Sequence, residues 1–308
     1  MKKNSCKEML EQYNKLSQPI NTKRVIFNGV DGYDVYNPTA PFEYKGKNII
    51  IGRVEKRDSE SSEAVFFSEQ EDGSFSVVTE IPRYKLQDPF ISLINGIYVF
   101  GGTEVFPHPK NAKKLWWKTK FYYGKDLNAL KELTSGPMGM KDIRLVELKN
   151  HEIGVFTRPQ GKKGGRGKIG FTVIKNLLEL NEDVISNANL LDLFKKRYWG
   201  GANEAILLSN GDIGVLGHLA SFSRGKIRHY YPITFTINPI TYKHSEVKII
   251  AERSKYLPGP SKRDDLTDVL FSGGLVSHYN GRSTLYVGVS DVEVQSGEII
   301  DPFWINKR

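Results

Sequence analysis

Five times along this chain an apolar strand enters a short polar turn and returns as a second, alternating strand. The five segments are FEYKGKNIIIGRVE, ISLINGIYVFGGTE, VELKNHEIGVFTRP, ILLSNGDIGVLGHL and VSHYNGRSTLYVGVSD. Asn95-Gly96, Asn210-Gly211 and Asn280-Gly281 are strong hairpin signals, because a type I′ turn needs positive φ at both central residues. With Gly46, Gly96, His151, Gly211 and Gly281 as turn markers, the spacings are 50, 55, 60 and 70 residues. A β unit of that length cannot bury its own apolar face and must pack on its neighbours, which fits propeller blades better than solenoid coils.

The expected fold is therefore all-β, a five-bladed β-propeller with a short N-terminal helix. It is read as one domain over 1–308, with a helical extension over 1–20 and blades near 38–80, 85–125, 141–178, 200–240 and 266–300. A pair of immunoglobulin-like sandwiches is the alternative. Apolar spacing supports a helix over 5–17 and allows another within 176–194.

Composition narrows the function classes. The 39% apolar and 11% aromatic content supplies a core, and the 29 glycines and 14 prolines are spread out as turn formers. A single cysteine, Cys6, excludes an intramolecular disulfide and a thiolate metal cluster. The first residues, MKKNSCKEMLEQ, lack the apolar run of a signal peptide. No segment approaches the roughly 18 apolar residues of a membrane helix. The expectation is a cytoplasmic protein without a membrane partner. A net charge of +9 attracts anions such as nucleic acid, anionic lipid or phosphorylated small molecules. No helix-turn-helix, zinc-finger or RNP pattern supports nucleic acid as a partner.

In a propeller, equal offsets from each turn should form a ring around the axis. Seven residues past the markers stand Arg53, Thr103, Arg158, His218 and Gly288. Eight before Gly96 and Gly211 stand Asp88 and Asn203, and nine before His151 stands Asp142. Polar residues at repeated offsets inside apolar strands suggest a polar funnel. Asp88, in KLQDPF, is either a turn-forming Asp before Pro or a general acid. Arg53 and Arg57, in GRVEKR, either pair with Glu55 at a strand edge or meet an anion. Arg158, in FTRPQG, needs an anionic partner if it is buried, and its guanidinium matches carboxylate or phosphate. His218, in GVLGHL, is a structural histidine or a ligand-binding one.

The run GKKGGRGK at 161–168 is rich enough in glycine and lysine to cradle phosphate, although it fails the P-loop pattern. Most of it reads as a solvated loop, and Lys168, next to the strand FTVI, is its candidate anion binder. WWKTKFYY at 116–123 could stack sugars or bases, or pack a core. There is no G-x-S-x-G, H-E-x-x-H or G-x-G-x-x-G pattern. The six histidines are dispersed, so no metal site is expected.

Taken in order, Arg53-Val54-Glu55, Asp88-Pro89, Thr157-Arg158-Pro159-Gln160, Gly217-His218 and Tyr286-x-Gly288-x-x-Asp291 resemble glycoside hydrolase family 130. These are the five-bladed β-mannoside phosphorylases. The likeness is greater to their offshoot, glycosyltransferase family 108, which holds β-1,2-mannan phosphorylases, mannosyltransferases and bacterial members described only as a domain of unknown function. The match spans about 41–291. The resemblance implies Asp88 as the lone catalytic acid, phosphate on Arg158, Lys168 and His218, and sugar contacts from Arg53, Asp142, Asn203 and Asp291. One departure is that the family's Glu-Asp-Pro-Arg is here Gln87-Asp88-Pro89-Phe90.

The implied reaction is inverting phosphorolysis of β-1,2-linked mannooligosaccharides to mannose 1-phosphate. Mannooligosaccharide and inorganic phosphate are the expected partners, and no other cofactor is needed. A nucleotide-sugar donor would run the same site as a transferase. A hydrolase would need a second carboxylate, Asp142 or Glu204, roughly 6.5–9.5 Å from Asp88 to activate water. A non-catalytic module binding a phosphorylated ligand or a protein is the alternative from another class. The N-terminal helix could cap the fold or join copies into a homo-oligomer.

Overall fold

A computed structural model describes residues 3–16, 21–223 and 226–304. Residues 1–2 and 17–20 of the expected helical extension, and 224–225 of the fourth expected blade, lie outside the described residues. The chain is all-β, built from five consecutive antiparallel units with little helix.

Each unit is centred on one of the hairpins. The first pairs Lys47–Glu55 with Ser62–Glu69, the second Gln87–Ile94 with Ile97–His108, and the third Arg144–Glu147 with Ile153–Thr157. The fourth pairs Trp199–Leu207 with Ile213–Phe222, and the fifth Asp268–Ser277 with Arg282–Val289. Further strands lengthen each unit outward. Several of these, Phe75–Val77, Lys131–Ser135, Asn189–Leu190 and Lys248–Ile249, are too short to carry an apolar pattern. The five units are hydrogen-bonded as four sheets. The fourth and fifth share one sheet through a parallel contact of His229 with Asp268 and Tyr230 with Val269.

Apolar clusters join successive units. Ile51 and Phe66 of the first meet Phe100 of the second, and Phe90 and Phe121 of the second meet Ile143 and Val155 of the third. Phe156 and Phe171 of the third pack with Val215 and Phe235 of the fourth. Leu216 of the fourth packs with Leu270 and Leu285 of the fifth. Val294 of the fifth joins Val35, Ile50 and Val65 of the first. The chain's beginning also completes its end, because Lys23–Arg24 pairs with Glu293–Ile300.

The turns are of two kinds. Lys45-Gly46 and Asn95-Gly96 have positive φ at both residues, as type I′ geometry demands. At Asn210-Gly211 and Asn280-Gly281 only the glycine is left-handed. There Leu208 and Asp212, and His278 and Arg282, close three-residue loops, in which a single left-handed residue suffices. His151 takes that role in the third hairpin, with φ 64°. Asn-Gly thus marks the hairpin correctly while leaving its loop length undecided.

The N-terminal helix is Cys6–Leu16. Ser5 starts it with a capping box, its hydroxyl accepting from Glu8 N–H (3.2 Å) while the Glu8 carboxylate accepts from Ser5 N–H (2.6 Å). Cys6 and Met9 sit in the third-to-fourth cluster. The segment 176–194 holds a 3₁₀ turn at Leu177–Glu179 and one short helix, Glu182–Asn187, capped by Asn181.

Candidate active site

The first strand of the second, fourth and fifth units is interrupted by a bulge. Register shifts fall between Gln87 and Phe90, between Ala202 and Glu204, and between Ser272 and Gly274. An extra residue of this kind re-aims a side chain out of the alternating pattern. Asp88 is such a residue, with φ 49°. Asn37, Asp142 and Asp291 are left-handed as well, at 46°, 57° and 56°. Non-glycine residues held in this region cost energy and gather at functional sites.

All four line one cavity of about 100 Å³, roughly the liquid volume of three waters. Arg53, Lys141, Arg158, His218, Arg228 and Tyr230 complete its polar wall. Asp88 is buried and accepts from Asn37 Nδ2 (2.8 Å) and Arg53 Nη1 (3.2 Å), with Lys141 Nζ 3.4 Å away. Burial pushes its carboxyl up, but Lys141, Arg53 and Asn37 more than offset this and hold it well below the usual carboxylate range. Asp88 stands as a carboxylate here.

Arg53 is itself fixed. Its Nη2 donates to Glu55 Oε2 (2.7 Å), its Nε to Ser62 Oγ (2.9 Å), and Tyr36 covers its plane at 4.8 Å. Lys262 and Ser62 donate to the same Glu55 carboxylate. This network places a buried guanidinium against Asp88, so Arg53 acts first as a support for that carboxylate. Arg57 pairs with Asp34 outside the cavity.

A second buried pair faces the first. Arg158 Nη1 lies 3.2 Å from Asp142 Oδ2. Among the described residues, both Asp142 oxygens and that Nη1 have no hydrogen-bond partner beyond this ion pair, which is costly for buried charges and lets them take ligand atoms. Burial raises the Asp142 carboxyl, but Arg158 and Lys141 bring it below its ordinary value. Asp291 differs: burial raises its carboxyl and Arg53 does not fully compensate. The cavity therefore holds three carboxyls, Asp88 together with Asp142 and Asp291, the two expected to contact sugar. Glu204 is elsewhere, accepting from Leu275 N–H (2.8 Å) beside a second cavity of about 240 Å³ on the other side of the bent strands.

His218 is buried, its Nδ1 is 2.9 Å from the Asn203 carboxamide, and its ring stacks on Tyr230 at 5.3 Å. Burial lowers its pKa to about 3, with Arg158 and Lys141 adding to the shift and Asp142 opposing it. It is a neutral imidazole. Asn203 supports His218 and lines the second cavity. Thr103 and Gly288, at the same offset as Arg53, do not line the site; Gly288 instead allows close approach of Asn37, whose Oδ1 would lie 2.1 Å from a Cβ there.

The Gly-rich run takes a different part from the one its composition suggested. Lys168 Nζ donates to the carbonyls of Tyr198 (2.8 Å) and Lys195 (3.2 Å) over Phe194, away from the cavity. Gly167, with φ 137°, passes so close to Arg158 that a Cβ would meet its Nε at 2.5 Å. The loop thus packs its backbone against Arg158. Among the described residues, no group of three or more His, Cys, Asp or Glu could hold a metal ion, and no helix is long and apolar enough to cross a membrane.

A family model described as "Protein of unknown function (DUF1861)" matches residues 12–305. The chain belongs to this family. No curated protein matches it. Among solved structures, this DUF1861 chain is similar to MPT-4, a mannose phosphorylase from Leishmania mexicana in complex with phosphate. Identity is 35% over 98% of this chain and 95% of that one, with a TM-score of 0.91. It is also similar to MPT-1, a GDP-Man-dependent mannosyltransferase from the same organism, at 31% identity over 97% and 95% of the chains and a TM-score of 0.88. The β-1,2-mannobiose phosphorylase of Listeria innocua shares the fold, at 13% identity over 93% and 99% and a TM-score of 0.65. The resemblance to the mannoside phosphorylase families is confirmed by these neighbours.

Proposed function

We propose that this DUF1861 chain is an inverting mannoside phosphorylase that moves a mannosyl group between inorganic phosphate and a sugar hydroxyl, with β-1,2-linked mannooligosaccharides as substrates. The supporting observation is one cavity in which the Asp88 carboxylate faces Arg158, Lys141, Arg228 and neutral His218. The 35% identity to a phosphate-complexed mannose phosphorylase makes phosphate the natural anion.

In this reading phosphate takes Nη1 of Arg158, beside its ion pair with Asp142, and a donor from His218, while Asp142 and Asp291 accept sugar hydroxyls. Lys168 has no part in it. In the synthetic direction Asp88 removes the acceptor hydroxyl's proton, that oxygen bonds to the anomeric carbon, and the carbon–oxygen bond to phosphate breaks. In phosphorolysis Asp88 returns the proton to the glycosidic oxygen as phosphate attacks the opposite face. Phosphate bound beside Lys141 and Arg158 competes for their charge and so eases protonation of Asp88. Phosphate is already nucleophilic, so no carboxylate base is required.

Incubation with β-1,2-mannobiose and phosphate should yield mannose 1-phosphate. Asp88→Asn should slow this by about 10²–10⁴-fold with sugar affinity retained, and an undiminished rate would remove Asp88 from the chemistry. A second reading, hydrolysis, is favoured by Asp142 sharing the cavity with Asp88; free mannose released equally well without phosphate would establish it. We also read the five units as propeller blades around this cavity, supported by the apolar clusters that link each unit to the next and the last to the first.

A further inference from the structure

We infer that Ser272 is a positioning residue which, through Asn203, fixes His218 as the Nε2–H tautomer and so makes it a neutral hydrogen-bond donor to the anion in the cavity. This rests on the phosphate reading of that site and adds the residues that make its histidine a donor.

Ser272 is fully buried and its Oγ lies 2.7 Å from the carbonyl oxygen of Gly217. A carbonyl only accepts, and serine has one hydroxyl hydrogen, so that hydrogen points at Gly217. The same Oγ is 3.0 Å from the end of the Asn203 carboxamide that also lies 2.9 Å from His218 Nδ1. Were that end the oxygen, it would face the serine lone pairs with no hydrogen between them. The amide NH₂ would meanwhile be buried without a partner, as Nδ2 is when placed on the other side. The oxygen and nitrogen of an amide are assigned by such networks. With NH₂ at the shared position, one hydrogen goes to Ser272 Oγ and the other to His218 Nδ1. Only the amide oxygen is then left over.

His218 Nδ1 thereby becomes an acceptor, and in a neutral imidazole the hydrogen must reside on Nε2. Among the described residues no protein group takes Nε2, and the ring borders the cavity beside Arg158 and Asp142. A donor there matches a phosphate oxygen, whereas the opposite tautomer would turn a lone pair toward the anion. This is the same logic by which the partner of one ring nitrogen sets the work of the other at metal sites. It also explains why Asn203, expected to touch sugar, stands behind the histidine instead.

Histidine-selective ¹⁵N NMR of the full-length protein without ligand, with His218→Gln for assignment, reads the tautomer directly. We expect Nε2 to appear as the protonated nitrogen and Nδ1 as the unprotonated one; the reverse pattern overturns the inference. Ser272→Ala should release the amide, populate the other tautomer and weaken inorganic phosphate binding about tenfold in calorimetry, the scale of one hydrogen bond, while Ser272→Thr restores both. An unchanged tautomer in Ser272→Ala would also overturn the role of Ser272. If the wild type shows the expected tautomer yet does not bind phosphate, the relay stands and the phosphate reading fails.

Discussion

Asp88, Asp142 and Asp291 are three carboxyls of one cavity driven in different directions by their neighbours. Asp88 and Asp142 are held ionised by adjacent cations, whereas Asp291 is raised by burial. His218 is the group whose titration reaches experimentally convenient pH. Its folded pKa, about 3, lies below the ordinary imidazole value of about 6.5. The stability that neutral His218 contributes is thus complete above about pH 6.5 and is lost as pH falls toward about 3. Urea midpoints measured between about pH 7 and about pH 4 should fall in the wild type and fall less in His218→Gln; equal slopes would mean His218 is not buried neutral.

At this scale much of the site was legible. Offsets from the turns picked out Arg53, Arg158 and His218 at seven residues past a marker, and Asp88 and Asp142 at eight and nine before one, because repeated units aim similar positions at the same place; Asp291 came from the resemblance. Lys141 escaped notice, although it directly precedes Asp142, because lysine is common and the offset pattern had one slot. Arg228 and Tyr230 lie on the third strand of their unit, too far from a turn marker for an offset to be read. Asn37 precedes the first marker's own strand and was hidden in the same way.

Among the elements, the loop 161–168 departs furthest from its composition. Its lysines suggested an anion cradle, but a glycine in it is what matters, since only backbone without a Cβ fits over Arg158. Gly167→Ala places a Cβ 2.5 Å from Arg158 Nε at φ 137°. It should cost about 1–3 kcal/mol and raise the KM for phosphate more than that for mannobiose. Gly165→Ala, with φ 62° and no atom within 4 Å, is the control. It should lower Tm through backbone strain and leave both constants unchanged. Equal kinetics for the two variants would show that Gly167 does not seat Arg158. The hairpins teach the complementary lesson. Asn-Gly located three of the five, but strand register chose between two- and three-residue loops, because closing the ladder over Leu208 and Asp212 leaves three residues to turn.

On the scale of the whole molecule, the two ends of the chain complete one sheet. Lys23–Arg24 covers the edge of Glu293–Ile300, Arg24 Nε donates to Glu293 (2.9 Å), and the helix before it buries Cys6 and Met9. Deleting residues 1–24 should expose that edge and apolar surface worth about 3 kcal/mol. The urea midpoint should drop accordingly, and an unaltered midpoint would show the closing strand to be dispensable. The net charge of +9 agrees with an anionic co-substrate only in a general way, since it is the local set Arg158, Lys141 and Arg228 that faces the cavity.

The sequence by itself determined the all-β class, the five hairpin units and several of the charged residues around the cavity, because strand alternation, turn chemistry and repeat spacing are local properties. Tertiary structure alone decided which cations reach the cavity, which carboxyls are held ionised and which way the buried histidine donates. Those outcomes depend on distances between residues far apart in the chain, where burial and neighbouring charge, rather than residue type, set the chemistry.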